Sequence, residues 1–391
     1  MPIRNSIAAD HDQLTAWRRD IHAHPELAFE ETRTADVVAA KLESFGVEIH
    51  RGLGGTGVVG TLKVGQSQKT IGLRADMDAL PLHELNEVAH RSQHDGKMHA
   101  CGHDGHTTML LGAAKHLAET RAFDGTVHFI FQPAEELAGG AKVMIDDGLF
   151  ERFPVDAVYG MHNFPELTPG EFGVRGGPIM ASVDTFRIVV KGKGTHGAMP
   201  HLGVDPVVIG AQIVIALQTI TSRGLDPLDA AVVSVTQFHG GAIDNIIPAE
   251  VELRGGVRAF TPALQDQVER RMREIAEGVA TAHGARAEVV YTRVYPATIN
   301  SEAETLIAIK AAQSVAGANK VDAEIKPCMG SEDFAFMLQE KPGCYIMIGN
   351  GGAAGGCLLH NPHYDFNDDI LPLGASYWTQ LVEDVLAPAG A

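Results

Sequence analysis

Nine consecutive residues concentrate the reactive side chains of this chain. Met98-His99-Ala100-Cys101-Gly102-His103-Asp104-Gly105-His106 holds three histidines, one cysteine and one aspartate. A thiolate and an imidazole two residues apart, Cys101 and His103, can both reach one metal ion from an extended or turn segment, and the glycines let the backbone come close. A polar loop around a buried free cysteine is the plainer reading, and the density of ligand types argues against it.

Other segments offer the same chemistry at the ends of apolar runs. Gln132-Pro133-Ala134-Glu135-Glu136 follows the run at 127–131, His162 follows 157–161, and Asp76-Met77-Asp78 follows 71–75. Leu359-His360-Asn361-Pro362-His363 adds a further histidine segment. Taken singly, an acidic turn is usually a solvated surface and a lone histidine usually structural. Several strand ends meeting at one sheet edge would instead bring these side chains to a common crevice. Adjacent glutamates in an irregular segment can then divide the work, one binding metal and the other reaching a metal-bound water.

The ligand mixture selects the ion. One thiolate, three imidazoles and carboxylate oxygen suit a borderline transition metal such as Zn²⁺, Mn²⁺, Co²⁺ or Ni²⁺ and suit Ca²⁺ or Mg²⁺ poorly. A closed structural zinc site takes four ligands, typically in paired Cys-x-x-Cys spacing, which is absent. Five or more ligands with a spare glutamate point to two metals and catalysis.

The elements that must position these residues alternate. Helical spacing at 16–27 and 34–45, the latter closed by Gly46, precedes short β-rich runs at 58–64, 70–75, 126–131 and 157–161, with a helix at 107–119 between them. Alternation predicts an α/β fold with a mostly parallel sheet covered on both faces. After Ser182 the pattern becomes strand 184–191, helix 206–222, strands 231–238 and 251–260, helix 264–283 and strand 287–295. That βαββαβ order is a ferredoxin-like unit, expected over 184–295 and interrupting a catalytic domain of 1–183 and 296–391. The helix at 304–316, the strand at 344–348 and a helix after Leu373 return to the first sheet. At 391 residues, two domains are the default expectation.

Composition narrows the partners. A formal charge of −18 argues against nucleic acid and against an anionic membrane surface. No stretch reads as a secretory signal or as 18 uninterrupted apolar residues, and four irregularly spaced cysteines show no disulfide framework, so a soluble cytoplasmic protein is expected.

At this point a resemblance is visible. Arg19-Asp20-Ile21-His22-Ala23-His24-Pro25-Glu26-Leu27, Arg74-Ala75-Asp76-Met77-Asp78-Ala79-Leu80-Pro81, the Cys101 cluster and Glu135-Glu136 resemble the metallo-amidohydrolase branch that contains hippurate hydrolase and the plant auxin-conjugate hydrolases. Gly194-Thr195-His196-Gly197-Ala198, Gly330-Ser331-Glu332-Asp333-Phe334 and His360-Asn361-Pro362 extend it over nearly the whole chain. The resemblance implies two divalent ions held by Cys101, His103, Glu136, His162 and His360, with Cys101 bridging them and Glu135 the general base. It implies that Asp78 orients a ligand or the base, that the inserted unit is a lid and dimerisation domain, and that the protein is a homodimer or tetramer. In that unit His196 would reach across the dimer to stabilise an oxyanion, while Asn245 and Arg258 grip a substrate carboxylate. Arg258 has separate support, since a guanidinium near the end of an apolar strand suits a planar carboxylate. The reaction implied is hydrolysis of small N-acyl amino acids. A dipeptidase of the same superfamily and a metal-binding homologue without turnover are the alternatives.

Overall fold

The computed structural model describes residues 4–352 and 357–388. It divides into two compact units, the first comprising residues up to Ile179, Ile299–Lys326 and the chain from Asp333, the second Met180–Thr298 with Pro327–Glu332.

The first unit is built on an eight-stranded sheet. Its strands run in the order Glu48–Leu53, Gly57–Val64, Gly125–Gln132, Thr70–Asp76, Ala157–Phe164, Gly343–Gly349, Phe172–Gly173 and Val321–Asp322. The four central strands from Gly125–Gln132 to Gly343–Gly349 are parallel, and antiparallel pairs flank them. Gly125–Gln132 and Gly343–Gly349 are buried at every position, which is why they read as continuous apolar runs. The strand Glu48–Leu53 escaped the pattern because it lies at an edge, is largely exposed and carries few apolar residues.

Helix His103–Thr120 packs against helices His11–Ala23 and Leu371–Val385, and helix Glu302–Ala316 packs on the last of these. Leu110, Leu111 and Leu117 from the first helix join Phe129, Phe131, Tyr377 and Trp378 in one core. Each such side chain contributes about 1.5–3 kcal/mol by leaving water. Two boundaries differ from the expectation in ways that matter for the site. The helix expected from 107 begins at His103, and the strand expected to end at Met161 runs to Phe164, so His162 sits within a strand rather than after it.

The second unit is a four-stranded antiparallel sheet in the order Ala231–Gly240, Glu250–Ala259, Val183–Lys191 and Arg286–Tyr295. With helices Pro206–Leu217 and Pro262–Ala282 the element order is βαββαβ. Ile188, Val190, Ile213, Leu217, Leu253 and Met272 form its core. Both helices open on a capping side chain followed by proline: Asp205 accepts from Val207 N–H and Thr261 from Leu264 N–H. The single helix expected over 206–222 is two, Pro206–Leu217 and Thr219–Arg223, where the Thr219 hydroxyl donates back to Ala216 O at 2.6 Å.

Candidate metal centre

Cys101 and His103 flank Gly102, whose φ of 85° is left-handed. A Cβ at this position would lie 2.4 Å from Asn163 Nδ2 and 2.5 Å from Tyr364 Oη. Glycine therefore lets both side chains close on the loop. Asn163 Nδ2 donates to Cys101 O at 2.6 Å, and Tyr364 Oη donates to Asn163 Oδ1 at 2.8 Å. His103 then opens the buried helix. Glu135 and Glu136 open the short helix Glu135–Ala138 after the strand Gly125–Gln132. His360, at φ 62°, is tied to the same loop by its N–H, which donates to Ala100 O at 2.8 Å.

These segments converge. Ligand atoms of Cys101, His103 and His162 lie within 4.8 Å of one another, as do those of Cys101, Glu136 and His360 and those of His103, Glu135 and Glu136. Cys101 Sγ is 3.4 Å from His162 Nε2, and Glu136 Oε1 is 3.3 Å from His360 Nε2 and 3.9 Å from His103 Nε2. All five residues expected to hold metal and the expected base thus meet in one place. His360, 54% exposed at its side chain, marks the solvent side.

The donor atoms fit cations. His103 Nε2 and Glu136 Oε1 are buried without a hydrogen-bond partner, although they point toward one another's neighbourhood. His103 Nδ1–H donates to Asp78 O at 2.9 Å, with Asp78 Oδ1 at 3.2 Å, and His162 Nδ1–H donates to Asn163 O at 2.6 Å. Each ring therefore presents Nε2 to the crevice, the arrangement that ligating histidines take. Burial alone would lower the His103 pKa, but Asp76, Asp78 and Glu136 raise it to about 10, so the surrounding carboxylates favour positive charge at this point. Burial, together with Glu136, Glu135 and Asp76, pushes the Cys101 thiol well above its usual range. His162 is held well below its usual value by burial and by His106. A thiol that needs a nearby cation to ionise, beside a neutral imidazole, is a donor set made for a thiophilic divalent ion.

Ligand atoms of Asp76, His103 and His106 also lie within 4.8 Å of one another, but those of Asp76 and His106 are engaged in hydrogen bonds. His106 Nδ1–H donates to Asp76 Oδ1 at 2.6 Å, and its Nε2 accepts from Asn163 N–H at 2.9 Å. Both ring nitrogens are committed. Arg74, almost wholly buried, donates to Asp76 Oδ2 at 2.6 Å, Gln132 Oε1 at 2.7 Å and Asp333 Oδ1 at 3.0 Å, tying two strand ends to the start of helix Phe334–Glu340. Burial would raise the Asp76 pKa, yet His103, Arg74 and His106 hold it well below the carboxylate range. Asp78, the aspartate singled out from the sequence, also accepts from Glu136 N–H at 3.0 Å. Asn163 and Arg74 stand outside the residues the sequence singles out for the site, although Arg74, like Asp76 and His106, lies inside a quoted motif.

His196, Asn245 and Arg258 belong to the second unit. His196 is exposed in the strand Thr195–His196, paired with Ile246–Ile247, and Gly197 N–H donates to Asn245 O at 2.7 Å, which keeps His196 and Asn245 together. Arg258 lines a cavity of about 500 Å³ on the sheet with Asp184, Arg187 and Arg254. Its Nη1 is buried without a partner, and burial lowers its pKa against the pull of Asp184.

Known proteins resemble this chain over nearly its whole length. Residues 72–384 match the family model described as peptidase family M20/M25/M40. The chain is 43% identical over 364 residues to hippurate hydrolase of Campylobacter jejuni, covering 93% of this chain and 94% of that protein. It is 39% identical over 380 residues to N-acetylcysteine deacetylase of Bacillus subtilis, covering 97% and 98%. A crystal structure of a Bacillus subtilis protein described as a dinuclear metal-binding peptidase of the M20 family is similar at a TM-score of 0.86 and 36% identity, over 97% of this chain and 99% of that one. With a family model spanning most of its length and full-length relatives near 40% identity, the chain belongs to peptidase family M20/M25/M40.

Proposed function

We propose that the protein is a divalent-metal-dependent amidohydrolase that cleaves N-acyl amino acids, hippurate-like or N-acetylated, to a carboxylic acid and a free amino acid. The observation that carries this reading is Glu135, a nearly buried carboxylate within 4.8 Å of ligand atoms of His103 and Glu136. A site that only stores metal has no use for it. The two full-length relatives above are named for hippurate and N-acetylcysteine, both N-acyl amino acids.

Two ions are favoured because Cys101 belongs to two ligand groups, one with His103 and His162 and one with Glu136 and His360. Zn²⁺ or Mn²⁺ is the proposed pair, with Co²⁺ and Ni²⁺ compatible with the same donors. Bound there, divalent ions supply Lewis acidity that brings a water toward deprotonation near neutral pH and polarises the acyl carbonyl. Glu135 takes the proton from the attacking water and delivers it to the departing amine nitrogen. Asp78 fixes the His103 ring and, through Glu136 N–H, the turn that bears both glutamates. His196 donates to the carbonyl oxygen as charge builds there, and Arg258 and Asn245 hold the free carboxylate of the substrate.

The second unit is proposed as a lid and dimerisation domain. Its outer strand Ala231–Gly240 is an edge carrying Phe238 at 41% exposure, and helix Pro206–Leu217 leaves Val208 and Ile215 at 53% and 72%. Exposed apolar side chains beside an open edge favour pairing with a second copy. All four cysteines are free, which supports the reducing cytoplasm as the proposed location.

The test is hydrolysis of benzoyl-glycine, N-acetyl amino acids and dipeptides by metal-reconstituted protein. Turnover of the first two classes, lost with chelator and restored by metal, is expected. Exclusive cleavage of dipeptides would move the assignment to a peptidase, and turnover indifferent to chelation would end the metal-dependent reading.

A further inference from the structure

We propose that Glu31, a residue of the N-terminal segment, is the positioning residue that aims Glu135; this rests on Glu135 being the base. Glu31 stands at the N-cap position of helix Thr32–Ser44, where a carboxylate ordinarily caps its own helix, yet its side chain makes no cap hydrogen bond. Glu26 does that work instead, accepting from Arg33 N–H at 3.0 Å and Thr34 N–H at 2.8 Å. The Glu31 carboxylate turns inward and is fully buried.

Its Oε1 accepts from Ala134 N–H at 2.9 Å and from Phe29 N–H at 3.0 Å, and its Oε2 accepts from Thr56 Oγ1 at 2.6 Å. Ala134 and Phe29 are two of the four non-glycine residues held at positive φ among the described residues, at 57° and 62°. One oxygen therefore holds two strained residues 105 positions apart. Left-handed backbone is unfavourable for alanine and persists where surrounding bonds over-determine it. Ala134 immediately precedes Glu135, and the φ and ψ of Ala134 set the direction in which the following turn leaves the strand. Other ties on this turn include Gly140 N–H to Ala134 O at 3.0 Å, Gln132 Nε2 to Pro133 O at 3.2 Å and Glu136 N–H to Asp78 Oδ2 at 3.0 Å. Glu31 supplies the side-chain acceptor for the Ala134 N–H. Without it, Ala134 relaxes toward right-handed backbone and Glu135 turns with it, while Glu136 stays tied to Asp78 and the ligands on other segments stay in place.

The experiment compares kcat, KM and bound zinc for full-length, zinc-loaded wild type, Glu31→Ala, Glu31→Gln, and Glu31→Ala combined with Ala134→Gly, on benzoyl-glycine. Glu31→Ala should lower kcat about 10–100-fold, the scale of losing an outer hydrogen-bond partner of a catalytic group, with KM and zinc content near wild type. Glu31→Gln should stay near wild type, because its amide oxygen still accepts both N–H groups and its amide nitrogen can donate to the Thr56 hydroxyl. Ala134→Gly should restore part of the kcat of Glu31→Ala, since glycine takes positive φ without a Cβ penalty. Wild-type kcat in Glu31→Ala, a loss confined to KM, or a Glu31→Gln as slow as Glu31→Ala would overturn the proposal. If Glu31→Ala fails to fold, Glu31→Asp, one methylene short of Ala134, replaces it; a slow enzyme supports the proposal and a fast one overturns it. Glu135→Gln serves as the reference: an active variant overturns the base assignment and the Glu31 role together, whereas an inactive one beside a fast Glu31→Ala overturns the Glu31 role alone.

Discussion

His22 Nδ1 lies 2.8 Å from Asp104 Oδ2 while its Nε2 lies 3.3 Å from Glu84 Oε1, and all three side chains are buried. Both ring nitrogens face carboxylates, so the ring must carry two protons. Burial alone would depress its pKa, but Asp104 and Glu84 outweigh it and raise the value to about 9. Asp104 is in the first turn of the helix that begins with His103, so this buried cation anchors the metal loop from below.

A pH dependence of stability follows. The folded protein binds the His22 proton more tightly than the unfolded chain, so the contribution is complete below about pH 6.5, the unfolded value, and disappears as pH rises through about 9. The urea midpoint of wild type should fall over that interval relative to that of His22→Gln, which lacks the titration. Parallel curves for the two proteins would refute the assignment.

Replacing Glu135 by Gln removes the proposed proton acceptor while leaving the five proposed ligands in place. Turnover should drop by roughly 10²–10⁴-fold, the usual contribution of a general base, with metal content unchanged. Retained activity on benzoyl-glycine would remove Glu135 from the mechanism.

Cys101 is shared by two ligand groups, so its loss should affect the whole cluster rather than one ion. Cys101→Ala is expected to bind less than the wild-type complement of metal, measured by elemental analysis after dialysis. His106→Gln, by contrast, should keep its metal and lose thermal stability, because His106 bonds to Asp76 and Asn163 with both ring nitrogens. Metal loss in His106→Gln and not in Cys101→Ala would invert the ligand assignment.

Arg258 has a buried Nη1 with no partner in its own unit. A substrate carboxylate would satisfy it through a charge-assisted bond worth about 1.5–3 kcal/mol. Arg258→Ala should therefore raise KM for benzoyl-glycine by about 10–100-fold and erase the preference for it over benzoyl-glycinamide. An unchanged preference would show that the carboxylate is held elsewhere.

The proposed metal ligands are legible in the sequence to different degrees. Cys101 and His103 stand two apart and announce themselves locally. His162 and the Glu135-Glu136 pair depended on recognising buried strands, and those strands formed within a few residues of their expected ends. The supporting bonds were opaque, because Glu31 and Ala134 are 103 residues apart and Arg74 and Asp333 are 259 apart, and no local pattern links them. His22 was visible only as part of a motif; its burial between two carboxylates required the fold. Exposed edge strands such as Glu48–Leu53 carry too little hydrophobic pattern to be found by period alone.

Arg18, on the helix that also carries His22, donates to Asp365 Oδ1 at 2.9 Å and Asp368 Oδ1 at 2.7 Å, close after His360 in the chain. During synthesis the ribosome releases Cys101, His103 and Glu136 long before either aspartate, and the partners of Arg18 arrive only after His360 has been made. A nascent chain can therefore hold early ligands without a finished centre. Completing the crevice waits until the segment from His360 to Asp368 has been made, and a ribosome-stalled fragment ending before residue 360 would carry the proposed base without its full set of neighbours.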